Sequence, residues 1–166
     1  FLRLITIRQC QCLSIVLDYA TLWCSNFLWM VVMSIDLIST KIDFLESIGC
    51  GETMHSGRTL LEHLIGVYKV LDEGFAPLHV CDAGLFHSVY GTAYFKPKTI
   101  SLDKRDIVKD IIGKDAENLA FMFCVIPQPR YENILSLTDE KLRDELLMIE
   151  DANREEQFYA RAEGIS

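Results

Sequence analysis

Apolar residues recur along this chain at three- and four-residue intervals, and hardly anywhere at alternate positions. Over Thr59–Glu73 the positions Leu60, His63, Val67 and Val70 fall on one stripe of a 3.6-residue repeat, which predicts a helix carrying His63 inward. Over Pro77–Ser88 the set Val80, Ala83, Gly84 and His87 repeats the pattern, and the small pair Ala83-Gly84 leaves room for another helix to approach closely. Two inward imidazoles on neighbouring helices are therefore expected to meet.

The same reading extends in both directions. Leu37, Ile38, Ile42, Leu45 and Ile48 predict a helix over Asp36–Ile48, stopped by Gly49 and Gly51. Thr59 with Glu62 three residues on has the form of a capping box, Gly74 closes that helix, and Pro77 suits the first turn of the next. The stretch Val89–Ile100 has no period and reads as a surface loop beside the histidines. Ser101 is expected to cap a helix ending at Gly113, and Asp115 to open one so apolar that it should be the most buried, ended by Pro127 and Pro129. Thr138 is expected to cap a long final helix whose Leu142, Leu146, Ile149, Asn153 and Phe158 lie near one face. No segment alternates as a strand, so the class is all-α with about six helices.

The first 32 residues fit this plan poorly. Tyr19–Ile35 runs 17 residues without a charge, near the lower limit for a membrane span, but Asp18 and Asp36 bound it and no basic flank orients it. Three readings stand: an upstream extension with Met33 as the start, an extra core helix, or a membrane-associated segment. The organisation expected is a non-core segment over 1–32 and one helical domain over 33–166.

Composition narrows function. A net charge of -8 with no cluster of Lys or Arg argues against a phosphate backbone as partner, so no nucleic acid is expected, and a membrane is not favoured. The six cysteines lack CxxC spacing and suggest reduced thiols in a cytoplasmic setting. Oligomeric state is not encoded in any feature of the sequence.

The frame Ser56-Gly57, His63, His87, then Ile112–Leu119 (IGKDAENL) and Ile149–Arg154 (IEDANR) resembles the hydrolase domain of stringent-response alarmone synthetase/hydrolases, members of the HD superfamily of metal-dependent phosphohydrolases. More closely, GETMHSGRTLLEHL with AGLFHSVYGT resembles an uncharacterised HD-like family, domain of unknown function 6817. The resemblance implies an HD-like helical bundle. It also implies a metal held by a His, a His-Asp pair and a distant Asp. Here the histidines are His63 and His87, but Ser88 and Asn153 stand where the aspartates would be. The Glu-Asp that assists alarmone hydrolysis falls on Gly91 and Thr92, and the arginine before Ser-Gly on Met54.

Two neutral imidazoles, a hydroxyl and an amide bring no negative charge to a divalent ion. Replacement ligands could come from Glu62, Asp82, Glu150, Asp151 or His55; a site of His63, His87 and His55 would suit zinc, with manganese or iron as other candidates. The ligand-binding candidates are Ser88, Tyr90, Thr92, Asn153 and Arg154, with Tyr94 at the pocket mouth and Gln157 beside Asn153. Lys96, Lys98, Lys104 and Arg105 are the basic group nearest the loop and could receive a small phosphate. Three functions are open: a degenerate HD-like domain binding a small, phosphorylated or nucleotide-like molecule, a divergent metal-dependent phosphoester hydrolase, and a structural or interaction bundle.

Overall fold

The computed structural model describes residues 38–93, 95–162 and 164. The chain divides into two compact units, Phe1–Thr40 and Lys41–Ser166. The proposed start at Met33, the uncharged stretch 19–35 and Tyr94 lie outside the described residues. Everything below concerns the second unit.

It is all-α. Helix α1, described over residues 38–47 and belonging to this unit from Lys41 on, leads into a short hairpin, β1 (Met54–His55) paired antiparallel with β2 (Arg58–Thr59). Six further α-helices follow: α2 (Leu60–Glu73), α3 (Leu78–Phe86), α4 (Arg105–Ile112), α5 (Lys114–Val125), α6 (Arg130–Leu135) and α7 (Glu140–Ala162). No described helix is long and apolar enough to cross a membrane.

The hairpin is the element that periodicity missed, because two residues per strand are too few to show an alternation. Its turn residues Ser56 and Gly57 both have positive φ (49° and 85°), the left-handed pair a tight antiparallel turn requires. Thr59 then caps α2: its hydroxyl accepts from Glu62 N at 3.2 Å, and the Glu62 carboxylate takes the Thr59 amide at 2.8 Å. The capping box therefore couples the end of the hairpin to the helix that carries His63.

Helix α2 buries Leu60, His63 and Val67 of the predicted stripe together with Leu61, Leu64 and Leu71, while Val70 is only partly buried. Each fully buried aliphatic on it contributes about 1.5–3 kcal/mol relative to exposure. Against this face lies α3, and Gly84 sets the approach: a Cβ there would stand 2.3 Å from Leu71 Cδ1. Contact this close makes α3 the most enclosed helix, with Val80 through Phe86 all buried. That corrects the expectation for α5, whose Phe121, Met122 and Cys124 are partly exposed and whose Val125 is half exposed.

Two caps also differ. Asp139, not Thr138, accepts the Leu142 amide at 3.0 Å to start α7. Ser101 makes no side-chain cap, and Leu102–Lys104 forms a 3-10 turn before α4. The short α6 between the prolines and Thr138 is absent from the sequence reading and brings the α-helices among the described residues to seven.

Candidate functional site

Helix α7 sends Leu146, Ile149, Asn153, Glu156 and Ala160 inward. The stripe changes from apolar to polar at Asn153. Glu156, one turn on, meets His63 of α2: Nδ1 lies 2.5 Å from Oε2. The carboxylate also pairs with Arg58 of the hairpin. Space for it comes from Gly66, three residues after His63, since a Cβ there would lie 2.6 Å from Glu156 Oε1.

The two histidines do converge. His63 and His87 are 0 % and 1 % exposed, and their Nε2 atoms are 3.3 Å apart. His87 Nδ1 donates to the Gly84 carbonyl at 2.7 Å. An ionised Glu156 can only accept, so His63 Nδ1 donates to it; Arg58 Nη2, 3.5 Å from the same nitrogen, is too distant to compete. Both ring protons are thus directed away from each other, and two Nε2 lone pairs face one another. Burial lowers the His63 pKa to about 3, helped by the charges of His55 and Arg58, and lowers His87 well below the usual histidine range. Both rings are neutral near pH 7. Burial raises the pKa of Glu156, and Arg58 opposes that rise.

His55, from β1, does not join the pair as a third in-plane donor. Its ring stacks on His63 with centroids 4.2 Å apart and planes 10° from parallel. A nitrogen lone pair lies in its ring plane, so an ion in the plane of His63 is out of the plane of His55. Its Nδ1 is buried without a partner. Phe95 packs edge-on against His55, Phe123 against His87, and Arg130 lies over Phe123 at 4.1 Å, so one series of ring contacts runs from the loop to α6.

This series borders a cavity of about 490 Å³. Of the residues singled out in the sequence, His55, His87, Ser88, Thr92, Asn153 and Arg154 line it. His63 is enclosed behind His55 and His87. Thr92 uses its hydroxyl to accept from Phe95 N at 3.0 Å, which holds the loop's aromatic ring against His55. Asn153 accepts from Gln157 Nε2 at 3.1 Å, and Gln157 also reaches the cavity.

Tyr90 lies apart from these: it borders a second pocket, and its hydroxyl donates to the buried Glu117 at 3.0 Å. Arg105 is likewise committed, to Glu117 through Nε and Nη2 at 2.5 and 2.8 Å. Lys96 and Lys98 line a different pocket. The potential replacement carboxylates are also committed elsewhere or exposed: Glu62 caps α2, Asp82 takes Lys41 at 2.6 Å, Glu150 takes Arg130 at 3.0 Å, and Asp151 faces solvent. Among the described residues no group of three or more His, Cys, Asp or Glu is arranged to hold a metal ion. The donor set therefore falls short of a catalytic zinc centre, which takes three protein ligands.

Four site residues are missing from the sequence reading: Arg58, Glu156, Arg130 and Arg161. The available signals were a glycine inside an otherwise good helix, at 66, and an acid three residues after Asn153 on one face. Arg130 had no local signal.

No curated protein and no solved structure matches the chain. One family model does, described as a domain of unknown function, DUF6817, over residues 44–128. The matched span contains the hairpin, both buried histidines and the loop, and ends just before Arg130. It covers just over half of the chain, which therefore belongs to the DUF6817 family.

Proposed function

We propose that this domain is a degenerate HD-like domain that binds a small anionic molecule, phosphorylated or nucleotide-like, in the histidine-lined cavity without turning it over. The observation that carries this reading is the charge of the lining. Among the described residues, Arg130, Arg154 and Arg161 border the cavity with a single acid, Glu150, in a chain whose net charge is -8. Cationic groups gathered in one concave place on an acidic protein favour an anionic guest. A cavity of about 490 Å³ is within the usual range for small-molecule sites. Ser88 and Asn153, where the resemblance expects metal-binding aspartates, support binding without hydrolysis. The unpaired thiols of Cys50, Cys81 and Cys124 agree with a cytoplasmic setting.

Calorimetric titration with inorganic phosphate, pyrophosphate and a nucleoside monophosphate tests the reading. At least one should bind with Kd below about 1 mM. Failure of all three would remove it.

One observation favours a second reading, a divergent metal-dependent phosphoester hydrolase. The facing Nε2 atoms at 3.3 Å match the separation of two imidazoles on one tetrahedral zinc, about 3.3 Å for bonds of 2.0–2.1 Å. Water or ligand oxygens would have to complete the sphere, so binding would be weak. Metal analysis after loading with zinc, manganese or iron decides: occupancy below about 0.1 equivalent for every ion eliminates the hydrolase.

A further inference from the structure

Two arginines in this fold are built alike, and only one has its acid in place. Arg105 lies over the Phe121 ring at 3.6 Å and gives its Nε and Nη2 to the two oxygens of Glu117. The face is covered by an aromatic ring and the side edge is closed by a carboxylate. Arg130 lies over the Phe123 ring at 4.1 Å, two residues along the same helix α5. Its acid, however, is taken end-on: Nη1 donates to Glu150 Oε2 at 3.0 Å, while Nε is buried and has no partner. The residue is 5 % exposed and borders the cavity.

We infer that Arg130, which lines the cavity and whose buried Nε has no partner, is the oxyanion subsite, its side edge turning to receive two oxygens of a phosphate or carboxylate group in the way Arg105 receives Glu117. This rests on the reading that the cavity takes an anion, and states where the anion is held. A guanidinium offers five donors in a rigid plane, and its side edge matches two oxygens on one centre. A buried N–H left without an acceptor is destabilising, and an incoming oxygen would recover that loss. Arg58 also has an unpartnered Nε, but the void it borders is about 10 Å³, room for one water and not for an anion. Glu150 holds Arg130 in position and opposes the guest by its charge.

The experiment uses arginine Nε–H resonances of the whole chain, with the Arg130 signal assigned by its loss in Arg130→Lys, and inorganic phosphate and acetate as probes. Addition of the probe should move the Arg130 Nε–H signal downfield, and the more effective probe identifies the group preferred. In calorimetry, Arg130→Lys, which keeps the charge and loses the fork, should weaken phosphate about tenfold or more. Glu150→Gln should tighten it by about threefold. A probe that binds by calorimetry yet leaves the Arg130 signal unmoved overturns the subsite while the anion reading survives; absence of any binding removes both. Should Arg130→Lys fail to fold, the same signal can be assigned by its proximity to the Phe123 ring in the wild-type chain, and the titration decides alone.

Discussion

Gly66 of α2 faces Glu156 of α7 so closely that a Cβ at 66 would stand 2.6 Å from the carboxylate oxygen. The missing side chain is what lets a charged group reach the interior and fix the tautomer of His63. A helix-interior glycine costs about 1 kcal/mol relative to alanine in propensity. That cost is accepted here for the access it gives.

Gly66→Ala is therefore expected to destabilise, although it improves helix propensity at an interior position. The new methyl must displace Glu156 from both His63 and Arg58, and overpacking of this kind costs about 1–3 kcal/mol. Chemical denaturation measures it. A variant as stable as the parent would show that the slot is not needed.

Asp82 and Lys41 form a buried pair at 2.6 Å. Asp82→Ala should cost about 3–5 kcal/mol, because it strands an ammonium group in the interior. Replacing both partners, Lys41→Met with Asp82→Leu, should recover most of that loss. If the double variant is as unstable as the single one, packing and not charge governs the site.

Acidification should weaken the fold well before carboxylates titrate. Burial lowers His63 to about 3 and lowers His87 and His55 from the ordinary 6.5. Between 6.5 and 3 the unfolded chain binds protons that the folded chain refuses, so stability is full above 6.5 and falls as pH drops through that window. Glu156 and Asp82, both raised by burial, act in the opposite sense in the carboxylate range. In the presence of a chelator, Tm should be level from about pH 7.5 to 6.5 and fall by about pH 5.5. A Tm unchanged over that interval would contradict the neutral, buried state assigned to the rings.

Arg154→Ala should separate binding from folding. Arg154 is exposed, borders the cavity and touches Tyr131 only at 5.5 Å, so Tm should change by little while phosphate affinity drops about tenfold. Equal affinity in the variant would place the anion away from α7.

The sequence alone determined most of the helices and the inward face of α2, but not the short α6, nor the exposure of Phe158 on α7. A stripe of Leu60, His63 and Val67 can bury only one way, and Thr59 with Glu62 marks a helix start by local hydrogen bonding. Hence the all-α class and the inward pair His63 and His87 were legible, as was the close approach at Gly84. Tertiary structure decided what each histidine touches. Glu156 reaches His63 across 93 positions of sequence, and Arg130 meets Glu150 across 20, and both depend on how the helices cross. Periodicity reports which face turns inward, and is silent on which distant face it meets. For that reason the sequence offers His55 as a candidate third ligand but not its stacking on His63, and of the cavity's arginines it names Arg154 but not Arg130 or Arg161.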